Sequence, residues 1–241
     1  MPADSFLLDA RVTQLALHRD DVELRFVRSP GEAHSLHASH VVLALPPRVA
    51  EATIAFAPAL DAQTARRWRD TPTWMAPHAK FFALYERPFW REAGLSGAAQ
   101  SMVGPLVEIH DATSASRAAA LFGFVGVPAA QRKATGRDAI VAASIRQLAL
   151  LFGSQAASPV ATLYKDWADD PLTATAEDGV ATGHPVSDRQ PWIGGAWGRH
   201  VLLAGSETGM IEPGYLAGAV EAGERAASEL IARLGDNREV G

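Results

Sequence analysis

The sequence predicts a mixed α/β fold, and three observations predict it. The chain opens with alternating strands, its middle block strings strands together with few helices between them, and it closes on a strand, a Gly-rich turn and a long amphipathic helix. The closing segment carries most information. It runs from Leu203 through Gly205, Glu207, Gly214 and Tyr215 to Arg225 and beyond. From Leu216 onward, apolar residues recur at Val220, Ala227, Leu230, Ile231 and Leu234, which predicts one dry helical face up to Gly235. A turn leading into a helix aims free N–H groups and a positive dipole end at whatever lies before it, so a bound anion or electron-rich ring is expected there.

The elements follow in order. A first strand includes Val12 and Leu15; a second places Val22, Leu24 and Phe26 on one face, with a turn at Ser29-Pro30-Gly31. Val41 to Leu45 is a short, fully apolar strand ended by Pro46-Pro47. Residues Asp61 to Asp70 read as a helix, with Ala62, Ala65 and Trp68 on one side, broken at Thr71-Pro72. Strands are expected at Lys80–Tyr85, Ser101–Val107, Leu121–Val127 and Val160–Trp167, and a helix from about 138 to 152 that Gly153 stops. So few crossover helices favour an antiparallel sheet in this block, suited to the wall of a substrate cavity. Mobile polar loops are expected over 111–117 and 237–241.

Composition sets bounds. With 241 residues and 48% hydrophobic side chains the chain can bury a sizeable core. A net charge of −5 without a basic stripe argues against nucleic acid as a partner. No apolar run is long enough to span a membrane and the first residues lack a secretory pattern, so the cytoplasm is the expected location. Zero cysteines exclude disulfides and thiolate ligands, and the eight histidines show no H-x-x-x-H spacing, so no metal site is expected.

The segment from Leu203 to Ala227 resembles the C-terminal part of the flavin-containing amine oxidase (monoamine oxidase) family, whose pattern is close to F-A-G-T-E-T-x-x-x-x-x-G-Y-x-x-G-A-V-x-A-G-E-R-A-A. Three further segments agree, in the family's order. They are Val41 to Pro47, Lys80 to Arg91 (K-x-x-x-x-Y-x-x-P-F-W-R), and Asp166-Trp167 with Asp170 to Asp178, the last in the form of bacterial members. The resemblance lacks the family's opening G-x-G-x-x-G turn, since no Gly-x-Gly occurs in the chain. It implies a partial FAD-binding, Rossmann-like domain (residues 1–69 and 170–241) and a substrate domain (70–169) with a mainly antiparallel sheet and packed helices.

The resemblance also implies roles. FAD would be held non-covalently, because the family's cysteine anchor has its nearest counterpart around Ala176. Val12, Trp167, Gly205, Glu207, Gly214 and Leu216 would contact it. Lys80 would hold a water against the flavin N5, and Tyr215 would be one wall of an aromatic cage whose second ring is missing near Ala176-Glu177. Glu177 or Asp178 could attract the substrate ammonium. Read as residues alone, Lys80 is equally a strand-end lysine, Trp167 a core anchor, Glu207 a turn cap and His78 a loop histidine. Glu221 and Arg225 read as an i, i+4 surface pair.

The implied activity is oxidative deamination of a small-molecule amine: hydride transfer to the flavin, imine hydrolysis, then reoxidation by oxygen to give hydrogen peroxide. A companion chain carrying the dinucleotide-binding turn is expected. The alternatives are an inactive, oligomerising subunit, with sheet edges that seek a partner or a second copy, and another flavoprotein oxidase or desaturase of the same superfamily.

Overall fold

The computed structural model describes Pro2 and residues 5–115, 118–180 and 183–236. The loop expected over 237–241, and part of that over 111–117, lie outside the described residues. The chain forms two compact units, Met1–Trp74 with Thr182–Gly241, and Met75–Ala181.

In the first unit, β1 (Ala10–Leu17), β2 (Val22–Arg28) and β3 (Glu32–Ala38) form an antiparallel meander, and β5 (Ala55–Ala57) pairs parallel to β1. The short β4 (Val41–Leu43) pairs parallel with β11 (Val201–Leu203). β4 stops at Leu43, two residues short of the expected Leu45, and Pro47 opens a helix, α1 (Pro47–Thr53). Proline suits that first position because its φ is preset and its missing N–H would have no helical partner. The helix α2 (Ala62–Asp70) is capped by Asp61, whose carboxylate accepts from the Thr64 N–H at 2.9 Å. Its Trp68 is buried, donates to the Trp192 carbonyl and meets Phe56 edge-on, while Trp197 meets Phe56 from another side.

Both faces of β11 are covered, as a parallel strand requires. Val201 and Leu203 pack with Val41, Leu43 and Trp68, whereas Leu202 packs with Ala226 of the last helix, α6 (Leu216–Asp236). The extent of α6 matches its periodicity, but its docked face does not. Gly218, Ala222 and Ala226 are the buried positions, while Val220 and Ile231 are 62% and 70% exposed. Small residues let the helix axis approach the strand closely, and the bulkier apolar stripe is left outward.

The second unit is built on a five-stranded antiparallel sheet in the order β10-β6-β9-β8-β7. Its strands are β6 (Ala79–Tyr85), β7 (Ala99–Gln100), β8 (Leu106–Asp111), β9 (Ala119–Val125) and β10 (Ala161–Asp166). Three helices accompany it: α3 (Phe89–Glu92), α4 (Ala129–Thr135) and α5 (Arg137–Phe152). Alternation along β6 sends Ala79, Phe81, Ala83 and Tyr85 into a core shared with Ile140, Leu148 and Phe152 of α5. The strand expected at Ser101–Val107 is instead two, β7 and β8, separated by a bend. The Gln147 side chain of α5 explains the bend: its amide accepts from the Leu106 N–H at 2.8 Å and donates to the Leu106 carbonyl at 2.7 Å. Gly104, at φ +90°, makes room for it. Among the described residues, no helix is long and apolar enough to cross a membrane.

Candidate functional site

In the first unit, the Gly-rich turn between β11 and α6 is packed too tightly for side chains. A Cβ on Gly205 would stand 2.6 Å from the Leu45 carbonyl oxygen, and one on Gly209 would stand 2.8 Å from the Gly218 Cα. Two charged residues of α6 fasten this turn. The Glu221 carboxylate accepts from the Met210 and Ile211 N–H groups at 3.0 Å. Arg225 donates to the Leu203 carbonyl at 2.9 Å and to Thr208 Oγ1 at 3.0 Å. The expected Glu221–Arg225 surface pair is therefore corrected: among the described residues no ion pair joins them, and Arg225 pairs with Glu229 at 3.4 Å. Local spacing fixed their common helix, but the turn folding back over it captured both.

The result is a closely packed turn, hydrogen-bonded to α6. Glu207 is buried within it, and Leu216 and Tyr215 face outward, 88% and 47% exposed. The first-turn N–H groups of Leu216, Ala217 and Gly218 are donors that a helix leaves without internal partners. Gly214, at φ +84°, has its carbonyl oxygen 3.0 Å from the Trp74 indole N–H, and a Cβ on it would stand 2.8 Å from that ring. His184 stacks on Tyr215 (centroids 4.1 Å apart, 14° between planes) and lies 3.7 Å from the Trp74 ring. Its Nδ1 is shut off from solvent and has no hydrogen-bond partner among the described residues. Sequence reasoning missed Trp74 and His184, which lie in loops without periodicity. Val12 sits apart from the turn on β1 and packs on the Val41–Leu203 cluster.

In the second unit, Lys80 lies on one face of the sheet. Strand register sets Lys165, Lys80, Phe124 and Glu108 in one row, with Leu163, Phe82, Phe122 and His110 in the next. Phe82 and Phe122 stack at 4.8 Å, and the Lys80 ammonium lies 5.5 Å from the Phe124 ring and 6.0 Å from that of Phe122. Trp167 follows β10 at the same end. Its N–H donates to the His78 carbonyl at 3.1 Å, and Lys165 lies over its ring at 4.8 Å. Lys165 thus links Lys80 and Trp167, paired with Lys80 across β10 and β6 and lying over the Trp167 ring. Asp178 is corrected as a candidate for the ammonium: it is buried and closes a capping box, accepting from the N–H and Oγ1 of Thr175 at 2.9 Å each. Glu177, beside it on the same short turn, is exposed.

His78 precedes β6 rather than extending it. Burial, followed by the cations of Arg132 and Lys80, pushes its pKa below the ordinary imidazole value of 6.5. A depressed folded-state pKa stabilises the fold fully above the unfolded value, and that stabilisation is lost as the pH falls through the folded one. A histidine-resolved NMR titration is therefore expected to place the His78 midpoint below 6.5, with unfolding becoming easier as the pH drops beneath that value. A midpoint at or above 6.5 contradicts the burial argument.

Comparison with known proteins fits this geometry. The profile of the family described as flavin containing amine oxidoreductase matches residues 1–231. The chain is 30% identical over 213 residues to amine oxidase [flavin-containing] A of Sus scrofa, aligning 84% of this chain with 39% of that protein. It is similar in structure to cyclohexylamine oxidase from Brevibacterium oxydans IH-35A, with a TM-score of 0.75 and 29% identity over 97% of this chain and 50% of that one. Wild-type putrescine oxidase bound to putrescine shares the fold, with a TM-score of 0.69 and 23% identity over 95% of this chain and 50% of that one. The chain thus spans half or less of the length of these proteins.

Proposed function

The chain belongs to the flavin-containing amine oxidoreductase family, and from that premise we propose that it is the portion of a FAD-dependent amine oxidase that walls the flavin ring and the amine. The observation that carries the reading is the turn locked between β11 and α6. Its glycines leave no room for side chains, and it sets the first-turn N–H groups of α6 ahead of an exposed Tyr215. Such donors stabilise negative charge on an electron-rich ring. The buried Nδ1 of His184 offers a further polar contact in the same place.

Within this reading, Leu216, Gly205 and Gly214 border the cofactor through their backbone, Glu207 binds its hydroxyls, and Tyr215 walls the amine. Lys80 orders a water on the Phe122–Phe124 face, beside Trp167. Val12 would contact the adenine through its backbone, and Glu177 would offer a carboxylate to an incoming ammonium. FAD is bound without a covalent link, since the chain has no cysteine. The chemistry it supplies when bound is uptake of a hydride equivalent from the carbon of a neutral amine, with oxygen as final acceptor.

The pyrophosphate cradle comes from polypeptide outside these 241 residues. Three observations support this: the chain has no Gly-x-Gly, β11 is paired on one edge among the described residues, and α6 turns an apolar stripe outward at Leu216, Val220, Ile231 and Leu234. Beside β11 lies a cavity of about 330 Å³ lined by Trp192, Val201, Leu203, Arg225 and Arg233. An open edge and an uncovered stripe are surfaces that pairing with further chain removes from water.

The test is a visible spectrum of the purified chain with FAD, alone and after co-expression with a polypeptide bearing a G-x-G-x-x-G turn. Weak or no flavin retention alone, and a yellow complex that an amine bleaches after co-expression, is the expected outcome. A complex that stays colourless in both arrangements overturns the enzyme and leaves a non-catalytic subunit, which the same apolar stripe also suits.

A further inference from the structure

Within the first unit, the meander of β1, β2 and β3 assembles a second polar cluster. The hairpin between β1 and β2 is closed by the His18 N–H donating to the Asp21 carbonyl at 2.8 Å. Register pairs Ala16 with Glu23 on these strands, and Glu23 with His37 on β3. Because side chains alternate along strands, His18, Asp21, Glu23 and His37 all point from the sheet face opposite the buried Leu15 and Val22. Sequence spacing hides this group, since His18 and His37 meet only through β2.

The arrangement has the composition of a metal centre. His18, Asp21 and His37 each offer a ligand atom within 4.8 Å of the others. His37 Nδ1 and Asp21 Oδ2 stand 3.1 Å apart, close to the roughly 3.3 Å between two ligands of a tetrahedral zinc ion at about 2.0–2.1 Å each. The other Asp21 oxygen, Oδ1, is shut off from solvent and accepts no hydrogen bond among the described residues. A buried anionic oxygen left in that state is costly unless a cation serves it.

Glu23 completes the surroundings without being needed as a ligand. It is held on both oxygens by Arg25, at 3.0 and 3.1 Å, and stands 3.6 Å from His18 Nε2. A carboxylate beside a ligating imidazole fixes its orientation. The rings of His18 and His37 are stacked, with centroids 5.7 Å apart.

We propose that His18, Asp21 and His37 bind one divalent transition-metal ion of the zinc class, which ties β3 to the β1–β2 hairpin. Two imidazoles and one carboxylate suit zinc, nickel or copper over magnesium or calcium, which favour all-oxygen sets. The remaining coordination position is open to water.

Calorimetry with zinc chloride on chelator-treated chain tests the site, with thermal unfolding followed alongside. One ion per chain is expected, with a higher unfolding temperature in its presence. His18→Gln and His37→Gln each weaken binding on the order of 100-fold and abolish the thermal shift. These positions are exposed, so both variants keep the parent circular dichroism. His110→Gln, which removes a His–Glu contact of 2.8 Å in the other unit, leaves zinc affinity unchanged. The proposal is overturned if the parent chain binds no zinc, or if binding survives both His18→Gln and His37→Gln.

Discussion

Arg132→Met lowers the stability of the second unit by about 3–5 kcal/mol, the cost of leaving a buried charge without its partner. The Arg132 side chain is 2% exposed and that of Asp166 is 10% exposed. Four contacts converge on the guanidinium. Nε and Nη2 donate to the two Asp166 oxygens at 2.6 and 2.5 Å, Nη1 donates to the Val127 carbonyl at 2.6 Å, and Nη2 donates to that of Pro77 at 2.8 Å. Pro77 lies just before β6, Val127 just after β9, and Asp166 ends β10, so one side chain pins the three strand ends nearest Lys80 and Trp167.

Lysine cannot replace it, because a point charge cannot make the paired contact with the carboxylate and reach two carbonyls as well. Urea unfolding followed by hydrogen exchange in β6 and β10 measures the loss for that unit. Adding Asp166→Leu to Arg132→Met recovers part of it, since two apolar side chains leave no uncompensated charge. A loss under about 1 kcal/mol for Arg132→Met would show that the pair behaves as a surface ion pair.

Two glycines of α6 are expected to respond to alanine with opposite signs. A Cβ on Gly218 would stand 2.1 Å from the Glu212 carbonyl oxygen and 3.3 Å from that of Ser206. The turn must lift off the helix to admit it, which costs about 1–3 kcal/mol and breaks the Glu221 contacts to Met210 and Ile211. Gly223 has nothing within 4 Å of the corresponding point. Alanine there restricts the unfolded chain and gains about 0.4–1 kcal/mol. Thermal unfolding separates the pair. Flavin retention by the co-expressed complex adds a functional readout, with Gly218→Ala losing FAD and Gly223→Ala keeping it. Equal effects at both positions would remove the case for a locked turn.

Local pattern carried much of the fold. Residues 62–70, 79–85 and 137–152 form the elements that their periodicity and stop signals predict, because amphipathic period and Gly or Pro breaks act within a few residues. The helices α1 and α4 went unread, the first because Pro46-Pro47 looked like a strand end alone, the second because its short run from Ala129 to Thr135 has little apolar pattern. The face of α6 was misjudged for a different reason. Hydropathy favours Val220 and Ile231 inward, but the approach of β11 selects Ala222 and Ala226.

The candidate site divides in the same way. Lys80, Trp167, Gly205, Gly214 and Tyr215 enter the proposed site through ordered motifs, whereas Trp74 and His184 enter it only through their contacts with Gly214 and Tyr215. Asp178 looked available but is consumed by a cap, and Glu221 and Arg225 looked like each other's partners but serve the turn.

By itself the sequence determined the family, the mixed α/β class, the elements at 62–70, 79–85 and 137–152, and the Gly-rich turn, because each rests on residues close along the chain. Tertiary structure alone decided which helix face docks, which carboxylates are used up, and that His18 meets His37 across β2. Those outcomes depend on pairing and packing between segments distant in sequence, where register and steric fit, rather than local preference, set the energy.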